Sequence, residues 1–460
     1  MHGQPEQDGV PTPRRYAAVT ALSLGSAIAS IDNGFVNIAL PTMARQLGVP
    51  PASTVLIVTV FQLMLMMTVL PFASLGERIG LKRLYQTGQG LFAGAALLCF
   101  FAKSLPFLVA VRAIMGLGAA MINSVSSALI RMIYPRNRLG VGLSFNTVIA
   151  AGSGFAGPLL GGLLLSLVTW PWLFAALVPV TVLSLLIGHG SLPESEPHDA
   201  PFDMKAAALC AAMFGLFVVG VQIGVHGGSV LLALAVAGLA IPMGVVFVRR
   251  ELVQDVPVLP IDLLREKLIL LPLCASMLVH LSTISLMLTM PFRLQHAYGY
   301  SPFQAGLAIA PWSIVMFFVA PAAGYMSDRF RPGQLSSAGM ALALIGTLTL
   351  VFLPAHPNHF DIGWRFVLTG AGYGLFFSPN SRQIIAGAPA RRAAAAGAIM
   401  QTFRLSGQLL GSTIAALWLA LGLGDGMAPP LAAAILTIPT GLLCLLVLGA
   451  AARDAPLRQV

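Results

Sequence analysis

Long apolar stretches alternate with short polar connections along nearly the whole chain. A helix that crosses a membrane needs about 20 apolar residues to span a hydrocarbon core about 30 Å thick. Stretches of that kind lie near residues 16–40, 54–75, 84–102, 106–130, 141–166, 172–190, 205–225, 229–248, 268–292, 303–326, 335–354, 364–386, 393–422 and 430–452, fourteen in all. The 47 Gly and 32 Pro would break soluble helices. Inside a membrane bundle they are tolerated, because neighbouring helices satisfy the freed backbone groups. The pattern predicts an all-α membrane protein with 14 transmembrane helices.

Charge sets the orientation. Charged residues make up 9% of the chain, against about 25% in ordinary soluble domains. With the amino terminus placed in the cytoplasm, 20 of the 26 Lys and Arg residues fall on the cytoplasmic side and four on the other. The remaining two, Arg112 and Arg404, lie within spans. That asymmetry is the one the positive-inside rule demands, and removing a single span scrambles it. It predicts a multi-pass protein of the cell (cytoplasmic, or inner) membrane with both termini cytoplasmic. The net charge of +10 then reports topology and attraction to anionic lipid, not nucleic-acid binding. Cys99, Cys210, Cys274 and Cys444 sit in separate spans without metal-ligand spacing, so they read as small apolar residues. No nucleotide, metal or Ser/His/Asp constellation appears, and the chain does not read as an enzyme.

Two loops resemble each other. Ala73-Ser-Leu-Gly-Glu77-Arg78-Ile-Gly80-Leu-Lys82-Arg83 follows span 2, and Ala323-Gly-Tyr-Met-Ser-Asp328-Arg329-Phe-Arg331 follows span 10. Both are cytoplasmic, with small residues followed by an acid–Arg pair. Such internal repetition is typical of transporters built from two parallel halves. The organisation read from it is a tail over 1–15, a six-helix half over 16–190, a linker with two extra helices over 191–250, a second six-helix half over 251–452 and a tail over 453–460. The extra pair lacks an acid or Arg in its apolar stretch and reads as peripheral. The paired loops read either as a gate holding the cytoplasmic side shut or as simple topology anchors.

Of the 16 Asp and Glu residues, Asp32 alone has apolar helix on both sides. An ionised side chain at the bilayer centre costs about 2.5–3.5 kcal/mol even on lenient scales, so one that persists there marks a functional site. Arg112 lies about six residues into span 4, too deep for easy snorkelling, and an intramembrane Arg pairs with an acid or a carbonyl. Further polar positions sit on helix faces that lipid cannot satisfy: Asn33 and Asn37 in span 1, Gln62 in span 2, Asn123 in span 4, His280 in span 9, and Gln401, Arg404 and Gln408 in span 13. These are the candidates for lining a substrate cavity. In span 5, Ser153, Gly157 and Gly161 repeat every fourth residue, the small-residue spacing of tight helix packing.

Taken in order, these words resemble the major facilitator superfamily, in its fourteen-span drug:proton antiporter branch, over residues 16–450. Asp32-Asn-Gly-Phe-Val-Asn37-Ile-Ala-Leu-Pro41 resembles the branch's first-span signature. Leu75-Gly-Glu77-Arg78-Ile-Gly80-Leu-Lys82-Arg83 resembles the family's loop motif, and Arg112-Ala-Ile-Met115-Gly116-Leu-Gly118 the fourth-span Arg motif. Gly154, Gly157, Pro158, Gly161 and Gly162 match the antiporter motif, while Gly299-Tyr-Ser-Pro302 and Pro379-Asn380 match words of the second half.

The resemblance implies a major facilitator fold of two six-helix halves plus two helices. It implies a proton-coupled exporter of small amphipathic compounds working by alternating access. Asp32 and Arg112 would couple the proton, and the proton gradient would be the driving force in place of any cofactor. Small-molecule substrate, protons and membrane lipid are the implied partners. Met115 stands where the branch often has Gln, Leu81 where it often has Arg, and no second acid appears in spans 10 or 13. These departures count against divalent cations as substrates and point to neutral or monocationic ones. The alternative is a carrier dedicated to one endogenous metabolite, with or without proton coupling.

Overall fold

A computed structural model describes residues 9–135, 152–153, 156–195, 204–225, 228–251, 261–327, 329–388 and 393–454, and among these the regular elements are all helical. The transverse helices are α1 (Thr12–Leu47), α2 (Pro51–Ile79), α3 (Leu81–Phe100), α4 (Leu105–Ile133), α5 (Ala156–Leu167), α6 (Pro171–Ser191) and α7 (Met204–Val225). They continue with α8 (Val230–Glu251), α9 (Lys267–Phe292), α10 (Pro302–Met326), α11 (Pro332–Val351), α12 (His359–Gly387), α13 (Ala393–Ala420) and α14 (Ala428–Asp454). Ten described helices are long and apolar enough to cross a membrane on those criteria alone. Of the other four, α5 is described over a short length. Polar residues dilute α3 (Lys82, Arg83), α12 (Asp361, Arg365, Arg382) and α13 (Gln401, Arg404, Gln408).

The amino-terminal boundary differs from the sequence reading. Helix α1 begins at Thr12, with Pro11 as cap and Pro13 inside the first turn. Proline is tolerated there because the first backbone N–H groups have no helical partner. Arg14 and Arg15, assigned to a tail, therefore lie within the helix. At 36 residues and about 1.5 Å per residue, α1 outruns the bilayer and its first turns project from the basic end. There Arg14 donates to the carbonyls of Ser191 (3.0 Å) and Leu192 (3.3 Å), capping α6. Val10 N–H donates to Ile133 O at 3.1 Å, closing the end of α4.

One apolar core joins α1–α4 and α6 through Ile28, Phe35, Phe61, Phe92 and Phe174, and Leu288, Phe292, Ala415 and Ala416 reach into it from α9 and α13. A second core joins α9–α12 and α14 through Leu286, Trp312, Phe366, Tyr373 and Phe376, with Ile38 of α1 reaching in return. Polar bonds also fasten the first set: Gln89 donates to Ser184 Oγ at 2.5 Å, and Ser184 to Ala21 O at 2.7 Å, linking α3, α6 and α1.

The extra pair is only half peripheral. Val218 and Phe214 of α7 pack with Leu63 and Met66 of α2 and with Leu405 and Leu409 of α13. Gly220 brings α7 directly against the backbone of Ala237 in α8. By contrast, α8 turns Leu231 (78% exposed) and Ile241 (70%) outward. A helix without charges can still pack where small residues let backbones approach, which is why the sequence alone misplaced α7.

Candidate functional site

Asp32 and Arg112 meet. Both oxygens of the carboxylate accept from Arg112 Nη1 at 2.8 Å, and both side chains are fully buried. Four further groups hold the guanidinium. Ile57 O accepts from Nε at 3.2 Å, and Met115 Sδ from Nη1 at 3.3 Å. The Phe61 ring lies 4.4 Å from Cζ and the Phe174 ring 5.6 Å, within the range of cation–π attraction. Nη2 has no hydrogen-bond partner. Low dielectric strengthens the attraction between such charges, yet desolvation opposes it, so a buried pair is better evidence of a switch than of stability.

The carboxylate's helix is gripped at the next turn. A Cβ on Gly34 would lie 2.6 Å from Gly157 Cα and 2.7 Å from Pro158 Cδ, so α1 and α5 touch backbone to backbone. On its other side α5 meets α10: a Cβ on Gly306 would lie 2.5 Å from Pro158 O, and one on Gly162 2.8 Å from Pro302 O. Gly161 likewise faces Phe35 and Ile38. The glycines and Pro158 thus form a slim wedge between α1 and α10. Gly154 lies outside the described residues.

Contacts between α1–α6 and α9–α14 gather toward the end away from the basic loops. Besides the α5–α10 crossing, Gln295 donates to Ile38 O at 3.1 Å, and Thr59 to Ser412 Oγ at 3.2 Å.

The cavity candidates divide. Asn33 and Asn123 donate to Ala29 O (2.9 Å) and Ala119 O (2.8 Å) on their own helices. Asn37 Oδ1 and the buried Gln62 Oε1 have no hydrogen-bond partner. His280 Nδ1 lies 2.8 Å from Ser276 O, its ring 5.0 Å from that of Phe377, and Arg404 is near enough to act on it electrostatically. Gln401 and Gln408 flank Arg404 on α13, all three half-buried.

In the paired loops, Glu77 and Arg78 are exposed in the last turn of α2 and form no ion pair among the described residues. Neighbours in sequence on a helix point apart, so Glu77 and Arg78 do not face each other. Gly80, at φ +103, makes the tight joint to α3 that a side chain would strain. Lys82 instead meets Glu194 at 3.5 Å, and Leu81 N–H donates to Ser195 Oγ at 2.7 Å, so the segment after α6 clasps this loop. Arg83 is exposed. Asp328 lies outside the described residues, while Arg329 donates to Tyr325 OH at 2.9 Å. Missed by sequence reasoning were Phe61, Phe174, Ile57 O and the Glu194–Ser195 clasp. Aromatic and backbone groups carry no distinguishing signal in an apolar chain.

The chain is similar to known proteins. The chain is 37% identical over 416 residues to the uncharacterized transporter YebQ of Escherichia coli (strain K12), covering 90% of this chain and 91% of that one. It is 30% identical to the multidrug efflux pump LfrA of Mycolicibacterium smegmatis (90% and 82% covered). It is 23% identical to the riboflavin transporter RibZ of Clostridioides difficile (85% of each). A crystal structure of a POT family transporter with a thioalcohol-conjugated peptide superposes with a TM-score of 0.72 at 14% identity, covering 95% of this chain and 96% of that one, a likeness of fold. Residues 22–412 match the Major Facilitator Superfamily profile, and the chain belongs to that family: it is a multi-pass membrane transporter, not an enzyme.

Proposed function

We propose that the protein is a proton-coupled exporter of small amphipathic compounds in the cytoplasmic membrane, in which Asp32 carries the proton and Arg112 governs its release. The carrying observation is the fully buried Asp32–Arg112 pair between α1 and α4. While the guanidinium sits on Asp32, the carboxylate is balanced as an anion. When the helices rock and Arg112 withdraws, the carboxylate loses its counter-charge in a low-dielectric site and takes a proton from the open side. Return of Arg112 displaces that proton to the other side. Inward movement of one charge is worth about 2.3 kcal/mol per 100 mV.

Alternating access fits two six-helix halves rocking about the α1–α5–α10 wedge, with termini and basic loops cytoplasmic. The α2–α3 loop, clasped through Lys82 and Glu194, is the proposed cytoplasmic gate, and Arg329 marks its counterpart after α10. Export as the direction is supported by the LfrA relative and by the glycine–proline sequence of α5. A carrier dedicated to one metabolite is the second reading, favoured by the RibZ relative. A susceptibility panel in a strain lacking its own exporters tests both. Protection against several unrelated amphipathic compounds, abolished by dissipating the proton gradient, supports export. A single protected compound selects the dedicated carrier, and protection that survives loss of the gradient refutes proton coupling.

A further inference from the structure

Arg404 is a cation without a protein anion. Among the described residues it makes no hydrogen bond or ion pair, and its Nε is shielded from solvent with no partner. The contrast with other arginines in this bundle is direct. Arg112 has Asp32. Arg293 donates to Leu350 O at 3.0 Å, and Arg365 to Thr349 O at 3.0 Å. The described parts of α9 and α13 contain no Asp or Glu. Only Nε is shielded and the side chain as a whole is half-buried; a cation in a span without a protein counter-charge is costly, so its retention asks for a partner from outside the chain.

The surroundings define that partner. Arg404, Gly407, Gln408 and Gly411 recur at the three- and four-residue spacing of one helix face. That face meets α9: Gly407 presses on Met277 O, with a Cβ there 3.0 Å from His280 Cβ, and Gly411 on Leu281 O. The close crossing sets Arg404, one turn away, beside His280. Since His280 Nδ1–H donates to the Ser276 carbonyl, Nε2 carries the ring's free lone pair and acts as an acceptor. The half-buried Phe377 ring, 5.0 Å from the imidazole, adds an apolar wall. A planar guanidinium beside an aromatic face matches a carboxylate or sulfonate attached to an aromatic body.

We propose that Arg404, with His280 beside it, docks the acidic head of the exported compound, so that the substrates are amphipathic aryl acids in place of the neutral or monocationic compounds anticipated from sequence. This rests on the export reading above. The Asp32–Arg112 pair is neutral as a unit, so an anion at Arg404 neutralises the remaining cavity charge without competing for the proton site.

The test uses the purified full chain in proteoliposomes under an imposed proton gradient, with 1-naphthylacetate, its neutral amide 1-naphthylacetamide and the monocation tetraphenylphosphonium as probes. The expected result is accumulation of the acid in preference to the other two. Arg404→Gln should weaken acid transport about tenfold or more, the scale of losing a charged hydrogen bond. Arg404→Lys should keep part of it. Should Arg404→Gln fail to insert, as judged by its melting in detergent, Arg404→Lys decides: acid preference retained with weaker affinity supports the site, and a loss of preference overturns it. Accumulation of the amide or the monocation but not the acid, acid transport unchanged in Arg404→Gln, or occupancy by chloride only would overturn the docking site and leave export standing. Transport of none of the three probes overturns the docking site, and export is then decided by the susceptibility panel.

Discussion

Arg112 holds both carboxylate oxygens of Asp32 with a single nitrogen, Nη1, at 2.8 Å each. The stronger arrangement for this pair is a fork, in which two nitrogens meet two oxygens. Here Nε is diverted to Ile57 O at 3.2 Å, and Nη2 is left without a partner. The guanidinium is thus anchored to α2 as well as to α1, and a shift of α2 against α1 pulls it off the carboxylate. A pair held this way suits a proton site that must open in every cycle.

Replacing the acid should separate coupling from folding. Asp32→Asn keeps an oxygen for Arg112 Nη1 but can neither ionise nor carry a proton. Proton-driven transport in everted vesicles should fall to background, while exchange of substrate across the membrane without a gradient persists. Removing one member of a buried pair costs about 3–5 kcal/mol when the remaining charge is uncompensated, so a lower melting temperature in detergent is expected. Proton-driven accumulation at the native rate in Asp32→Asn would show that the proton travels elsewhere.

The partner's charge and its shape make separate contributions. Arg112→Ala should uncouple transport and leave Asp32 buried with no cation. Arg112→Lys should recover part of the coupling, since an ammonium keeps the charge but cannot reach Asp32 and Ile57 O together. The double variant Asp32→Asn/Arg112→Gln should melt above either single variant, because it removes both charges at once. A double-variant loss equal to the sum of the single losses would mean that the two residues are energetically independent. Phe61→Leu, which strips the ring 4.4 Å from the guanidinium, should cost about 0.5–2 kcal/mol.

The wedge between the halves is sensitive to volume. Gly157→Ala puts a methyl 2.9 Å from Gly34 Cα, and overpacking of that kind costs about 1–3 kcal/mol. Gly157→Leu or Gly306→Leu should insert yet transport at a small fraction of the native rate, measured as initial uptake in vesicles. Native rates in both leucine variants would remove the α5 crossing from the transport cycle.

What the sequence displayed, and what it hid, follow from one asymmetry. In an apolar chain a charge stands out, so Asp32, Arg112 and Arg404 could be singled out from composition alone. Helix number was legible from the apolar stretches between those charges. The contact between Asp32 and Arg112 was not, because it joins residues 80 apart through the relative placement of α1 and α4. Phe61 and Phe174 were hidden because an aromatic ring on a guanidinium reads the same as one facing lipid. Glu194 and Ser195 were read as a polar linker, and only the fold carries them to Lys82 and Leu81. Glu77 and Arg78, conspicuous as charges, are exposed at the surface. A charge in a loop is solvated at little cost, so it says less about chemistry than one in a span.

The division of labour between α7 and α8 supplies the last prediction. Val218 and Phe214 of α7 share an apolar cluster with α2 and α13, whereas α8 meets lipid along Leu231, Leu234 and Ile241. Joining residue 190 directly to residue 251 removes two crossings, so the orientation of both flanking segments is kept. It also strips the cover from Leu63, Met66, Leu405 and Leu409, and uncovering apolar side chains to lipid costs packing rather than hydration. The shortened chain should therefore insert, melt at a lower temperature than the native chain and transport more slowly. Single cysteines, placed in a chain whose Cys99, Cys210, Cys274 and Cys444 are replaced, refine this. Positions 231, 234 and 241 should resist a water-soluble thiol reagent with or without substrate. Positions on the α2- and α13-facing side of α7 should be equally unreactive if that helix only seals the seam between the halves. Strong labelling at 214 or 218 that substrate suppresses would instead make α7 a wall of the transport path, and the shortened chain should then lose transport altogether.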